Sequence, residues 1–226
     1  MRQLSFAECK ILKFKNLKFL KKYYFCRKKG NNMVATAISI KKQSVDDAFF
    51  DFCQSPEMRD KRIERTKNGK IIMYEPTGGE TGSFNSEINT EVGVWNRETR
   101  SGRTFDSSTG FTLPNTAIKS PDVAWILKER WAALPMTLRE KFPPITPDFV
   151  IEIRSKTDSL AKTQEKMEEF MENGCRLGWL IDRINECTYI YRADGSRDFV
   201  DSFEKTLSGE DVLVGFSLRI ADLEWE

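Results

Sequence analysis

Glu152 lies in PDFVIEIRSKTDSLAKTQEKMEEF, residues 147–170, inside the nearly continuous apolar run of Phe149, Val150, Ile151 and Ile153. A run of this kind with β-branched weight predicts a strand buried on both faces. A carboxylate buried there is costly unless it is protonated, paired or bound to a metal ion. A second acid, Asp122, opens the strand-like SPDVAWIL. Period-two alternation puts Asp122, Ala124 and Ile126 on one face of that strand, and Val150 and Glu152 on one face of the other. If the two strands pair antiparallel, both carboxylates converge at one sheet end. Converging carboxylates raise each other's pKa unless a cation intervenes. A hard divalent ion such as Mg²⁺, which takes a few carboxylate oxygens and keeps waters, resolves that conflict. On these residues alone a structural reading stays open beside it, with Glu152 paired to Arg154, a lysine or backbone amides.

The chain has no histidine. Ser-His-Asp and Cys-His nucleophile pairs, histidine metal sites and imidazole acid/base chemistry are therefore excluded. Catalysis must use carboxylates, lysines, tyrosines or a bound ion. Five cysteines without a CxxC pair fit a reduced, cytoplasmic protein better than a disulfide framework or a zinc site. No apolar run reaches the roughly 20 residues of a membrane span, so no membrane association is expected.

The elements that would hold the two acids follow from pattern. Ser44 with Asp47 predicts a capped helix through about Cys53. RIERTKNGKIIMYEP reads as two strands around Asn68-Gly69, a strong hairpin signal. TGGETG reads as a glycine-rich turn, and residues 83–100 as a helix with Phe84, Ile88, Val92 and Trp95 on one face. RTFDSSTGFTLP suggests two strands around a turn at Asp106, and a Trp-containing helical stretch follows SPDVAWIL. After Glu152 a helix runs to Asn173 and stops at Gly174, RLGWLID returns as a buried strand, and Asp194-Gly195 turns a final hairpin. Strands mixed with two main helices indicate an α/β (α+β) domain with a central mixed sheet flanked by helices and added hairpins.

Charge is uneven. Residues 1–30 hold ten Lys or Arg against Glu8, and the remainder holds 26 basic and 33 acidic residues, a net of −7. Ile11, Phe14, Leu17, Leu20 and Tyr24 recur at near-helical spacing and would suit a basic, aromatic-rich helix on a membrane or nucleic acid. The abrupt shift in composition before Met33 favours instead a basic extension over residues 1–32, outside a single domain over 33–226.

Together SPDVAWI, PDFVIEIRSKTD, FDSSTGFTLPN and TQEKMEEFMENGCRLGWLID resemble the Uma-type restriction-endonuclease family within the PD-(D/E)XK superfamily, over about Ser44 to Leu223. The resemblance implies a restriction-endonuclease-like core with a metal site at one sheet end, Mg²⁺ (or Mn²⁺) as cofactor, and nucleic acid, DNA first, as partner. It maps Asp122 and Glu152 onto the two motif acids as metal ligands and catalytic residues. The strict third position is Arg154, which cannot deprotonate and so cannot serve as a base. Lys156 continues the face of Glu152 if the strand extends, although SKTDS looks like a turn. Lys166 lies about 40° from Phe170 on the margin of the helix's buried stripe of Leu160, Met167, Phe170 and Met171. Its stem can cover the sheet while its ammonium reaches the strand ends. The resemblance favours Lys166 as the catalytic lysine. Cutting both strands by analogy implies a homodimer. Two further readings compete: a nuclease-like fold that binds without cutting, and an interaction protein presenting exposed tryptophans.

Overall fold

The computed structural model describes residues 24–29, 32–37, 44–59 and 61–223, which fall into two units, 1–55 and 56–226. The first unit contains an antiparallel hairpin of β1 (Tyr24–Lys29) and β2 (Asn32–Ala37), followed by α1 (Val45–Cys53). The Ser44 side chain caps α1 by accepting from the Asp47 amide at 3.0 Å. The expected boundary between residues 32 and 33 falls inside β2. Residues 11–23 of the basic helical reading lie outside the described residues.

The second unit begins with the hairpin β3 (Arg62–Arg65) and β4 (Ile71–Tyr74), turned at Gly69 with φ +78°. The long helix α2 (Gly79–Thr99) follows. TGGETG is thus mostly the first turn of α2 rather than a loop: Gly78 takes the extended N-cap conformation and Glu80 faces the positive helix end. Next come β5 (Gly102–Asp106), β6 (Phe111–Thr112), β7 (Ile118–Lys119) and β8 (Val123–Leu127). The short helices α3 (Lys128–Ala133) and α4 (Met136–Arg139) lead to β9 (Phe149–Arg154), α5 (Leu160–Glu172) and β10 (Leu177–Asp182). The chain then forms β11 (Cys187–Arg192), β12 (Arg197–Val200), the pair β13 (Thr206–Ser208) and β14 (Ser217–Arg219), and a 3₁₀ turn at Ile220–Leu223.

The central sheet runs β12-β11-β10-β9-β8-β5 and is mixed: β9 and β10 are parallel, joined by the α5 crossover, and its other pairs are antiparallel. A second sheet, β4-β3-β7-β6, is antiparallel. The strands on either side of the Asp106 turn therefore belong to different sheets. Asp106 itself serves the turn, its carboxylate accepting from the Ser108 amide at 3.0 Å and hydroxyl at 2.6 Å.

Helices cover both faces of the central sheet. On one, Phe84, Ile88, Val92 and Trp95 of α2 pack against Val123, Trp125, Phe149, Ile151 and Trp179, each burial contributing roughly 1.5–3 kcal/mol. Trp95 meets Trp125 edge-on and Trp179 stacks on Phe216. Trp95, Trp125 and Trp179 are buried core, which removes them from the exposed-tryptophan reading. On the other face Met167 and Phe170 of α5 pack against Ala124, Ile126, Val150 and Leu180. This is the face that carries Asp122 and Glu152. Gly174 at φ +96° stops α5 in a conformation that favours glycine.

One close approach fixes the strand that carries Asp122. A Cβ on Gly102 would collide with the Ile126 carbonyl oxygen and the Trp125 indole. Gly102→Ala is therefore expected to cost about 1–3 kcal/mol through overpacking, read as a lower denaturant midpoint at unchanged slope. An unshifted midpoint would show that the β5–β8 seam can relax.

Candidate active site

Strands β8 and β9 pair antiparallel, with Val123 opposite Ile151 and Ala124 opposite Val150. The start of one therefore lies beside the end of the other. Asp122 extends this ladder: its amide donates to the Ile151 carbonyl at 3.0 Å, and its Oδ2 accepts from the Ile153 amide at 2.8 Å. Glu152 is 5% exposed at the same sheet end. Lys166 reaches it from α5, with Nζ 2.7 Å from Glu152 Oε1. The structure brings all three sequence-predicted site residues together.

Arg154 and Lys156 lie elsewhere. Arg154 pairs with Asp182 of β10 at 2.7 Å and donates to the Asp158 carbonyl at 3.1 Å. Lys156 is exposed in the Ser155–Asp158 turn, where Asp158 accepts from the Ser155 amide and hydroxyl. The third motif position is thus committed to the ladder beside it, and the ammonium that meets Glu152 is that of Lys166 on α5.

The second sheet supplies partners that sequence reasoning missed. Arg62 and Glu64 project toward the site from β3. Arg62 donates to Asp122 Oδ1 at 2.9 Å and to the Ser120 carbonyl at 2.6 Å. Glu64, fully buried, lies 2.8 Å from Lys166 Nζ and accepts from the Tyr74 hydroxyl at 3.0 Å and the Ser120 amide at 3.2 Å. Lys166 also donates to the Ser120 carbonyl at 2.9 Å. Lys119 lies 3.5 Å from Glu64 and 3.0 Å from Glu169. The segment Lys119–Asp122 runs from β7 into β8, so the site sits where the chain crosses between sheets. Alternation along RIER was the available signal, since it puts Arg62 and Glu64 on one face.

The charges do not balance. Glu64, Asp122 and Glu152 face Arg62 and Lys166, while Lys119 and Glu169 offset each other, leaving one negative charge in excess. The excess settles on Glu152. Burial pushes its pKa up to about 7, with Asp122 and Glu64 adding to the rise and Lys166 and Arg62 opposing it. Glu152 Oε1 is buried and contacts Lys166 as an ion pair, without the angles of a hydrogen bond. Glu64 behaves oppositely: Lys166 and Lys119 overcome its desolvation and hold its pKa down. Lys166 is also desolvated, but Glu152 and Glu64 raise its pKa above the usual lysine value, so it stays an ammonium.

These residues fit a hard cation bound mainly through water and substrate. Asp122 and Glu152 carry carboxylate oxygens at one sheet end, and Glu152 Oε1, ion-paired with Lys166, accepts no hydrogen bond. Among the described residues no group of three or more acidic or thiol side chains is placed to hold an ion. Mg²⁺, which keeps several waters beside one or two carboxylates, suits that donor count.

A family model, Uma2, described as "Putative restriction endonuclease", matches residues 47–221. One similar solved structure is described as a putative nuclease belonging to DUF820 from Anabaena variabilis. It aligns with a TM-score of 0.64 at 23% identity, over 76% of this chain and 94% of that one, a likeness that establishes the fold. No curated protein matches. No helix among the described residues is long and apolar enough to cross a membrane.

Proposed function

The chain belongs to the Uma2 family, and from that membership we propose that it is a metal-dependent endonuclease hydrolysing phosphodiester bonds in DNA. Family membership supports a nuclease. The observation that carries the finer reading is the convergence of Asp122 and Glu152 on adjacent strand ends with the Lys166 ammonium against Glu152.

Asp122 and Glu152 would hold Mg²⁺ or Mn²⁺, which when bound supplies Lewis-acid stabilisation of phosphoryl oxygen charge. Glu152, buried and under-compensated without the ion, would gain the missing positive charge when the ion binds. Lys166 remains charged and so acts on the phosphate as an electrostatic stabiliser rather than a base. Arg62, only partly exposed, contributes a second fixed cation beside Asp122. Water forms the new bond to phosphorus as the bond to the 3′ oxygen breaks, leaving a 5′-phosphate and a 3′-hydroxyl. A single such site cuts one strand, so a double-strand break would need a second copy or a second encounter.

The Arg62 contact to Asp122 favours a second reading, a nuclease fold that binds DNA without cutting it. Incubating supercoiled plasmid with the purified chain in Mg²⁺, Mn²⁺ or EDTA separates the two. Metal-dependent nicking is expected, and Asp122→Asn, which keeps an acceptor for the Ile153 amide, should slow it by at least about a hundredfold. Nicking that persists in EDTA or in Asp122→Asn would overturn the assignment. Binding without nicking would establish the second reading.

A further inference from the structure

The β3–β4 hairpin carries a strong local excess of positive charge in the second unit. Residues 61–74 contain Lys61, Arg62, Arg65, Lys67 and Lys70 against the single acid Glu64, within a body that is net acidic beyond residue 30. At its base the hairpin is part of the active site, because Arg62, Glu64 and Tyr74 all bond within it. At its tip Lys67, Asn68, Gly69 and Lys70 are exposed. Lys67 and Lys70 make no ion pair among the described residues, whereas Lys119, Lys166 and Lys205 are each paired. An extended chain advances about 3.3 Å per residue, which sets the tip lysines roughly 7–10 Å beyond Glu64.

We propose that this hairpin is the DNA-docking element of the nuclease, lying along a duplex groove with Lys67 and Lys70 on phosphates flanking the scissile bond. The proposal rests on the nuclease reading of the site. A two-stranded β-ribbon fits the major groove, and phosphate contacts fix its register there. β4 is an edge strand of its sheet, so its outer backbone donors face away from β3. Ile71 and Met73, 44% and 60% exposed, present apolar surface suited to sugar and thymine-methyl edges. Charge complementarity selects DNA over a second copy of this chain, since two such tips would repel.

The test measures anisotropy of a labelled mixed-sequence duplex with the full chain in EDTA across a salt series, alongside plasmid nicking in Mg²⁺. Lys67→Ala/Lys70→Ala is compared with Lys128→Ala, an exposed lysine at the far end of β8 from Asp122. The double variant should bind at least about tenfold more weakly at low salt, with a salt slope shallower by about 2, while Lys128→Ala matches wild type. If wild type nicks DNA and the double variant binds with unchanged affinity and slope, the hairpin assignment fails and the nuclease stands. If wild type neither binds nor nicks, the nuclease reading fails and the hairpin with it. A double variant that binds normally yet shifts a dimer to a monomer would assign the edge to a second copy and also overturn the proposal.

Discussion

Glu152→Gln abolishes cleavage and leaves the metal-free protein at least as stable as wild type in alkaline buffer. Two properties of one carboxylate lead to this combination. Catalytically, Gln keeps the shape but does not carry the charge for a cation, so a loss of at least about a hundredfold is expected. Thermodynamically, the wild-type carboxylate is held at a pKa of about 7 against an ordinary value of 4.5. The folded state therefore binds more protons than the unfolded state across that window, and stability falls as pH rises from about 4.5 through about 7. Above that window the cost is constant, on the order of 3 kcal/mol at about 1.4 kcal/mol per unit. Gln removes it, while Lys166 retains Glu64 as a partner. Urea unfolding in EDTA at stepped pH should show the variant gaining on wild type between acidic and neutral buffer. A variant equally destabilised at all pH values would make Glu152 an ordinary structural ion pair, and retained nicking would remove it from the chemistry.

The parts of the site carried by local pattern were legible in the sequence. Asp122 and Glu152 could be placed because strand alternation is local and one antiparallel pairing joins them. Lys166 could be placed because helical periodicity sets it on the margin of a stripe whose Met167 and Phe170 are indeed buried. What could not be read depends on distant pairings. Glu64 and Arg62 reach the site only because β3 pairs with β7 at Arg65 and Ile118, from where the chain crosses into β8. In sequence RIER reads only as one strand of a local hairpin, and its alternation does not say that the face carrying Arg62 and Glu64 is buried. Likewise, the strands around Asp106 look like neighbours, yet one pairs with β8 and the other with β7. Glycine weight in TGGETG similarly outweighed the helix signal of the residues that follow, although an exposed first turn tolerates glycine.

Lys166→Met is expected to destabilise the fold strongly, for a reason separable from catalysis. Its ammonium lies within 2.8 Å of both Glu64 and Glu152, and its removal leaves two buried carboxylates facing each other. Breaking a buried ion pair from one side costs about 3–5 kcal/mol, because the uncompensated charge remains. The loss should therefore shrink on acidification, as Glu152 takes up a proton and removes the repulsion, whereas wild type gains less from the same change. Lys166→Met/Glu64→Gln removes one of the two charges and should recover much of the stability. Cleavage should stay lost in both variants, because neither restores a fixed cation at the scissile phosphate. Urea midpoints over pH, read beside plasmid nicking, distinguish the roles. Nicking recovered together with stability in the double variant would make Lys166 a structural counter-ion only. A single variant of wild-type stability would show that Tyr74, Lys119 and the Ser120 amide suffice to hold Glu64 without it.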